Sequence, residues 1–155
     1  MNLKFPERLN NSLGYLLNRA GKAMGGKLNR NFKAAGFEVN LEHWVVFAKL
    51  WREDGQNQQE LGLQCMKDKA TMTRLIDHME KQGWLARTPD PEDRRSRLIH
   101  TTKQGTALRE QLLPVVFRTL DEAATGISAD ELEICKRVLA QLHQNLCQEP
   151  QCDPS

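Results

Sequence analysis

The sequence lacks the features that define several common classes of protein. It has no run of about eighteen apolar residues, and its N-terminus, "MNLKFPERLNN", has no apolar core followed by a cleavage site, which argues against membrane insertion and export. Its four cysteines form no C-x-x-C pair and no small disulfide framework, so a cytoplasmic location is expected. It shows no glycine-rich phosphate loop and no pairing of nucleophile with base, so we predict no enzyme and no cofactor.

The charge that the chain carries is unevenly distributed. The net charge is only +2, yet residues 1–35 hold seven Lys and Arg against one acid, and residues 67–103 hold nine against six. Residues 104–155 hold four against eight. Such polarity favours an anionic partner. Apolar residues at 39% and charged residues at 27% are typical of a globular protein, and residues 1–155 are treated as a single domain.

Apolar spacing and capping motifs predict the order helix, helix, short helix, helix, β-hairpin, long helix, helix. Asn40 is the expected N-cap of the second helix. "NQQE" at 57–60 and "SADE" at 128–131 are typical of capping boxes that open the third and last helices. "WLART" and "RLIHT" predict two strands on either side of a charged turn.

The fourth predicted helix, "KATMTRLIDHMEKQG", has two distinct faces. Its apolar residues recur at i, i+3, i+4 and i+7, which predicts a buried stripe of Met72, Leu75, Ile76 and Met79. Small polar and basic residues occupy the rest of its surface: Lys69, Thr71, Thr73 and Arg74. Such a helix can enter the major groove of DNA, about 12 Å wide, and contact base edges.

The turn between the two strands, "DPEDRRSR" at 90–97, places six charges in eight positions, with the acids first. An arginine at the tip of a hairpin can reach the neighbouring minor groove, where narrow A·T tracts have enhanced negative potential. The acids cannot help phosphate binding directly. They can bond the backbone of their own turn, or they can hold a neighbouring guanidinium in its fork geometry.

Together these elements predict a mainly α fold built on a winged helix-turn-helix, with a two-stranded β-hairpin as the wing. The DNA-binding lobe is expected at 38–102, and a helical dimerisation region at 1–36 and 103–147. The helices outside the lobe have more apolar surface than one small winged helix needs, so a second copy is expected to cover them. A monomer whose helices pack only on its own core is the alternative.

Three stretches resemble the MarR family of bacterial transcription regulators: "LGYLLNRAGKAM", "NQQELGLQCMKDKATMTRLIDHMEKQGWLART" and "DPEDRRSRLIHTTKQG". The resemblance covers about residues 9–145, and the pattern D-P-x-D-x-R followed by a strand and T-x-x-G is its most specific part. His100 and Thr101 depart from the commoner apolar pattern of that strand.

The resemblance implies a homodimer that binds pseudo-palindromic double-stranded DNA, usually as a repressor, and that is often released by a small anionic aromatic ligand or by oxidation. It maps the family's acid–arginine pair onto Asp93 and Arg95, with Arg95 in the minor groove. The expected DNA-binding residues are Lys69, Thr71, Thr73, Arg74, Asp93, Arg94, Arg95 and Arg97.

The effector site is less well defined by the sequence. Tyr15, Arg19, His43 and Trp44 could form an apolar wall with one cation for a carboxylate. Equally, Tyr15 and Trp44 could belong to the core and Arg19 to the surface.

Two further hypotheses stay open. His143 and Cys147 are weak metal-site candidates because they share a helical face, and a thiol- or metal-responsive regulator could use them together with Cys135 or Cys152. A winged helix that binds protein instead of DNA is the alternative from another class, and it predicts binding that depends only weakly on salt.

Overall fold

A computed structural model of the chain describes residues 11–147, within which helices surround a small sheet. The mainly α fold and the order of the predicted elements are confirmed, while Cys152 lies outside the described residues. The elements, in chain order, are α1 Leu13–Ala34, α2 Leu41–Arg52, β1 Gln56–Asn57, α3 Gln58–Gln64, α4 Lys69–Lys81, β2 Leu85–Pro89, β3 Arg97–Thr101, α5 Lys103–Ala123 and α6 Ala129–Leu146.

Short polar side chains begin the helices, as the capping motifs predict. The backbone N–H of His43 donates to Asn40 Oδ1, and the Asn40 N–H donates to Nδ1 of the His43 ring, which completes a capping box at the start of α2. Ser128 and Glu131 form the same reciprocal box at α6. Asn57 caps α3 by accepting from the backbone N–H groups of Gln59 and Glu60, but the reciprocal bond of the predicted capping box is not formed there. The predicted helix starts are therefore confirmed.

The hydrophobic core lies where α2, α4 and α5 meet the sheet. All four members of the α4 stripe are buried, as the apolar spacing predicts. Burial of each large apolar side chain contributes about 1.5–3 kcal/mol. The core contains side chains from α2, α3, α4, β2 and β3 of the winged helix-turn-helix. The fully buried residues that pack with this stripe include Phe32, Val46, Phe47, Leu61, Ile99 and Leu112.

The sheet has three antiparallel strands in the order β1-β3-β2, so the predicted two-stranded hairpin is incomplete. Ile99 in the middle strand pairs with Arg87 on one side and with Gln56 on the other. The sequence does not signal β1 because two residues cannot show the alternation by which strands are recognised. This strand ties the start of α3 to the wing.

The wing returns into α5 through a tight junction at Thr102 and Gly105. The Thr102 hydroxyl donates to the Gly83 carbonyl at 2.6 Å, and the Thr102 backbone N–H donates to the Trp84 carbonyl at 3.0 Å. The Gly105 N–H in turn donates to the Thr102 hydroxyl oxygen at 3.0 Å. A Cβ atom on Gly105 would lie 2.0 Å from the Trp84 carbonyl oxygen. The T-x-x-G pattern therefore lies at the point where α5 packs closely against the end of the wing.

The second half of α1 packs against α5 through buried polar contacts. The Asn31 amide donates to the Thr119 hydroxyl at 2.8 Å, and that hydroxyl donates to the Val115 carbonyl at 2.7 Å. Lys27 and Glu122 form an ion pair beside them at 3.1 Å. These contacts fix the terminal helices to the lobe.

The first half of α1 and nearly all of α6 are exposed in the single chain, and no residue of α6 is buried. Within residues 11–147, no helix combines the length and the apolarity needed to cross a membrane. We define the apolar helical face as the exposed large apolar residues of α1, α5 and α6, which are Leu13, Tyr15, Leu16, Leu17, Met24, Phe117, Leu120, Ile134, Val138, Leu139 and Leu146.

Candidate nucleic-acid interface

The polar face of α4 points away from the core. Lys69 and Arg74 are exposed, and neither side chain forms a hydrogen bond or an ion pair with another residue of the described chain. Thr71 and Thr73 are partly buried. The two cations are therefore free to meet an anionic partner, whereas the two threonines are engaged within the protein.

Thr71 is hydrogen-bonded to Asp68, the N-cap residue of α4. Its backbone N–H donates to Asp68 Oδ1 at 2.9 Å, and its hydroxyl donates to Asp68 Oδ2 at 2.7 Å. The hydroxyl bond, followed by the backbone bond, holds the pKa of the Asp68 carboxyl below its ordinary value. Because the only hydrogen of the Thr71 hydroxyl is used here, its oxygen is left to accept from a base or from another donor.

Thr73 faces α3 instead of open solvent. Its hydroxyl donates to the Lys69 carbonyl at 2.8 Å and accepts from the Gln58 side-chain amide at 3.2 Å. The helical spacing of the sequence places Thr73 beside the polar face, but it does not show that α3 lies against it.

The acids of the wing shape its backbone. The Glu92 N–H donates to Asp90 Oδ1 at 2.9 Å, and the Arg95 N–H donates to Asp93 Oδ1 at 2.9 Å. The Ser96 N–H donates to the Asp93 carbonyl oxygen at 2.9 Å. Of the two roles considered for the acids, the structure shows the backbone role. Asp93 and Arg95 form no side-chain ion pair within the described residues.

Three arginines therefore project from the wing without an acidic partner in the described chain. Arg94, Arg95 and Arg97 are all exposed. Unpaired guanidinium groups on a shaped turn can bind phosphate or enter a narrow minor groove. The expected arginine cluster is thus present on the wing.

A groove of about 520 Å³ separates the wing from the starts of α3 and α4. It brings together Lys69 from α4 with Asp93, Arg95 and Arg97 from the wing. Several other residues of this groove were not predicted from the sequence. Lys67, which is close to Lys69, and the polar "NQQE" motif could have indicated them. These further lining residues include Asn57, Gln58, Gln59, Lys67, Asp68 and Ser96.

The four effector candidates are only partly brought together in one chain. Tyr15 and Arg19 lie on the exposed half of α1. His43 is buried, and Trp44 packs against the core at the start of α2. None of them lines this groove or the smaller cavity beside α2 in the described chain. A site that contains all four remains a prediction.

His43 has a well-defined structural role. Its ring stacks on His78 of α4 at a centroid distance of 5.1 Å and meets the edge of Trp84 at 5.5 Å. Burial, followed by the charge of His78, lowers the pKa of His43 from 6.5 to about 4, against a partly opposing effect of Glu42. The ring is therefore neutral near pH 7, as its acceptor role in the capping box requires.

This pKa shift predicts a loss of stability in acid. Because the unfolded chain binds a proton at His43 near pH 6.5 and the folded chain only near pH 4, stability contributed by the neutral ring falls as the pH drops through that window. Between pH 7 and pH 4.5 the loss should be about 2 kcal/mol. His43→Gln keeps an N3 acceptor, and it should reduce the acid-induced drop in the urea midpoint relative to wild type.

His100→Gln is the matched control, because His100 lies outside this cluster and bonds Asp54 and Thr88 instead. If His43→Gln and wild type lose stability equally between the two pH values, the buried ring does not carry the effect.

The cysteines do not form a metal cluster within residues 11–147, where no three His, Cys, Asp or Glu side chains come together to hold an ion. The predicted His143–Cys147 pair is adjacent, with Sγ 3.4 Å from Nε2. Cys135 is an exposed free thiol. Cys65 is buried, and burial raises the pKa of its thiol to about 11, which makes it unreactive.

The geometry defines a winged helix-turn-helix protein with a cationic groove between its fourth helix and its wing. Residues 39–96 match the family model described as MarR family. The chain is 30% identical over 113 residues to the uncharacterized HTH-type transcriptional regulator YkoM of Bacillus subtilis, an alignment that covers 73% of this chain and 72% of that protein. The chain therefore belongs to the MarR family, whose members are transcription regulators.

Solved structures share the whole fold. A MarR variant from E. coli complexed with operator DNA matches with a TM-score of 0.79 at 23% identity, covering 87% of this chain and 96% of that one. The Bordetella bronchiseptica protein BpsR, whose DNA binding is regulated by 6-hydroxynicotinic acid, matches with a TM-score of 0.79 at 21% identity, covering 92% and 97%. These likenesses confirm the arrangement of helices and wing.

Proposed function

We propose that this protein is a cytoplasmic repressor that binds a pseudo-palindromic operator as a homodimer. The observation that carries the proposal is the groove that brings the unpaired Lys69 of α4 together with the unpaired Arg95 and Arg97 of the wing. The operator-bound E. coli relative supports it because its fold is the same.

In this mechanism α4 enters the major groove and the wing lies over the adjacent minor groove. Arg74 and Thr71 face the bases, and Lys69 at the first turn meets phosphate. Arg95 enters the minor groove, while Arg94 and Arg97 contact the backbone on either side. Asp93 acts indirectly, because it shapes the turn that carries Arg95.

A homodimer is supported by the apolar helical face. Large exposed apolar surfaces are rare on monomers and mark interaction sites. The face combines helices from both ends of the described chain. Operator binding by a dimer requires that its two copies of α4 lie about 34 Å apart, the spacing of successive major grooves.

The dimer can be tested by placing a charge on this face. Val138→Glu should shift the protein from dimer to monomer in sedimentation equilibrium, because an unpaired carboxylate would be buried at the centre of the contact. Gln144→Glu, on the opposite side of α6, is the matched control and should remain dimeric. A wild-type mass equal to one chain of 17.7 kDa would contradict the dimer.

The proposed effector is a small anionic aromatic molecule, bound near Tyr15, Arg19, His43 and Trp44. The regulation of BpsR by an aromatic acid supports this class of ligand. Release by thiol oxidation is the second candidate, and the exposed free thiol of Cys135 favours it.

The function is tested by fluorescence anisotropy with the palindromic sequence upstream of the protein's own gene, at two salt concentrations. Operator binding predicts a steep loss of affinity with salt and tighter binding than to a scrambled duplex of equal length. Salicylate and peroxide, added separately, distinguish the two effector classes. Equal affinity for both duplexes, or no binding at either salt concentration, would contradict the proposal and favour a protein partner.

A further inference from the structure

No functional role was predicted for Arg87, in the middle of β2, from the sequence. Its side chain nevertheless contacts two other elements, α3 and α4. It donates through one terminal nitrogen to Glu80 at 2.5 Å and through the other to Asp77 at 2.6 Å, both on α4. Its Nε donates to the Gln58 side-chain oxygen at 3.0 Å, at the start of α3. The side chain is only 19% exposed. The guanidinium therefore bonds three other side chains and is not a solvated surface charge.

Gln58 extends these contacts to the face of α4 that meets DNA. Its side-chain oxygen accepts from Arg87, and its side-chain nitrogen donates to the Thr73 hydroxyl at 3.2 Å. That hydroxyl donates onward to the Lys69 carbonyl at 2.8 Å. The direction of these hydrogen bonds is fixed by Arg87. A guanidinium can only donate, so the Gln58 side-chain oxygen must accept from it, and the Gln58 side-chain nitrogen then donates to Thr73.

The sheet alone does not fix the wing relative to α4. Within the described residues, β2 lies at the edge of the sheet and pairs with β3 alone. Arg87 supplies side-chain bonds between the wing and α4, in addition to the core packing of α4 on the sheet and the chain connection through Gln82 and Gly83. Its own backbone N–H also donates to Glu80, at 3.3 Å.

We propose that the Arg87 network, which consists of Arg87, Gln58, Thr73, Asp77 and Glu80, sets the angle between α4 and the wing, and that Arg87 is a positioning residue for DNA recognition. Thr73 then acts through this network instead of by contact with a base. The inference rests on the proposed DNA binding, since the angle matters only if both elements contact one duplex.

The network predicts an effect that a direct phosphate contact would not produce. Both terminal nitrogens of Arg87 are paired with carboxylates and are not available to phosphate, so its replacement removes no phosphate contact. Each lost phosphate contact lowers the slope of log affinity against log salt by about 0.9. A positioning residue instead lowers affinity equally at every salt concentration and leaves this slope unchanged.

The test measures operator affinity of Arg87→Met and Arg87→Lys across a series of salt concentrations. Both variants should bind roughly tenfold more weakly, the size of one lost base contact, with the wild-type slope. Lysine should not rescue, because one ammonium cannot hold three acceptors in the arginine geometry. Lys81→Met, which removes an exposed cation at the end of α4, is the matched control and should retain affinity. A reduced slope for Arg87→Met, or unchanged affinity in both variants, would overturn the proposal.

A second arm needs no DNA and uses Gln58→Leu, which breaks the bonds to Thr73 and to Arg87 Nε but keeps both ion pairs. Amide hydrogen exchange at 85–101 should become faster in Gln58→Leu and in Arg87→Met, while exchange in the buried half of α4 stays as in wild type. Unchanged exchange in both variants would reject the network. If wild type fails to bind the operator, the proposed function fails, and this arm still decides whether the network holds the wing.

Discussion

Replacement of Gly105 by alanine is expected to destabilise the protein by about 3 kcal/mol or more, beyond the 1–3 kcal/mol typical of an overpacked core. The added Cβ would lie 2.0 Å from the Trp84 carbonyl oxygen and 2.9 Å from its carbon. Both are backbone atoms, so no change of rotamer relieves the overlap. The helix α5 must move away from the wing, which also breaks the bond from the Gly105 N–H to the Thr102 hydroxyl.

This loss is a large part of the roughly 5–15 kcal/mol that stabilises a typical domain. The free energy of unfolding in urea, measured at neutral pH, checks it. Gly21→Ala is the matched control, because nothing lies within 4 Å of its added Cβ and a helix gains about 0.5–1 kcal/mol from the change. Equal stability of Gly105→Ala and wild type would show that α5 does not approach the wing this closely.

Replacement of Arg95 by alanine is expected to weaken operator binding about a hundredfold in the dimer, since one specific arginine contact is worth roughly 1–3 kcal/mol and is lost in each half-site. The folded turn should survive the change. Arg95 shapes the wing through its backbone N–H, which donates to Asp93 and which alanine retains, whereas its guanidinium has no acidic partner in the described chain. The variant therefore tests the contribution of the Arg95 side chain to DNA binding without changing the backbone of the turn.

Two Asp93 variants separate the backbone role of the acid from a role in orienting arginine. Asp93→Asn keeps the oxygen that accepts from the Arg95 N–H, and it should bind operator much as wild type does. Asp93→Ala removes that acceptor and should bind as weakly as Arg95→Ala. If Asp93→Asn is also weak, the carboxylate charge holds the guanidinium in the complex with DNA. Full affinity of Arg95→Ala would remove the wing from the mechanism.

Much of the candidate site was predictable because its signals are local. The N-caps at Asn40, Asn57 and Ser128 bond backbone groups two or three residues away, so the motif and its structural effect lie within one turn. The spacing of the α4 stripe likewise determines which of its faces is buried. The charged turn "DPEDRRSR" bonds largely within itself, so its role on the backbone was among the roles that the sequence allowed.

The remaining features depend on contacts between distant parts of the chain. Gln58 and Arg87 are 29 residues apart, and nothing in either segment indicates that the other lies within hydrogen-bond distance. The same holds for β1, which has two residues and is a strand only because β3 lies beside it. Thr73 shows both cases, since its position on α4 follows from helical spacing but the partner of its hydroxyl follows from packing.

By itself, the sequence determined the order of the helices and the wing, the buried face of α4 and the charge at the wing tip, because caps, apolar periodicity and turn residues act over a few positions. Only the tertiary structure decided which polar side chains are free and which are engaged within the protein. It left Arg74 and the three wing arginines exposed and bound Thr73, Gln58 and Arg87 to one another. Whether a polar side chain is free depends on which neighbours the fold brings within hydrogen-bond distance, and local patterns do not contain that information.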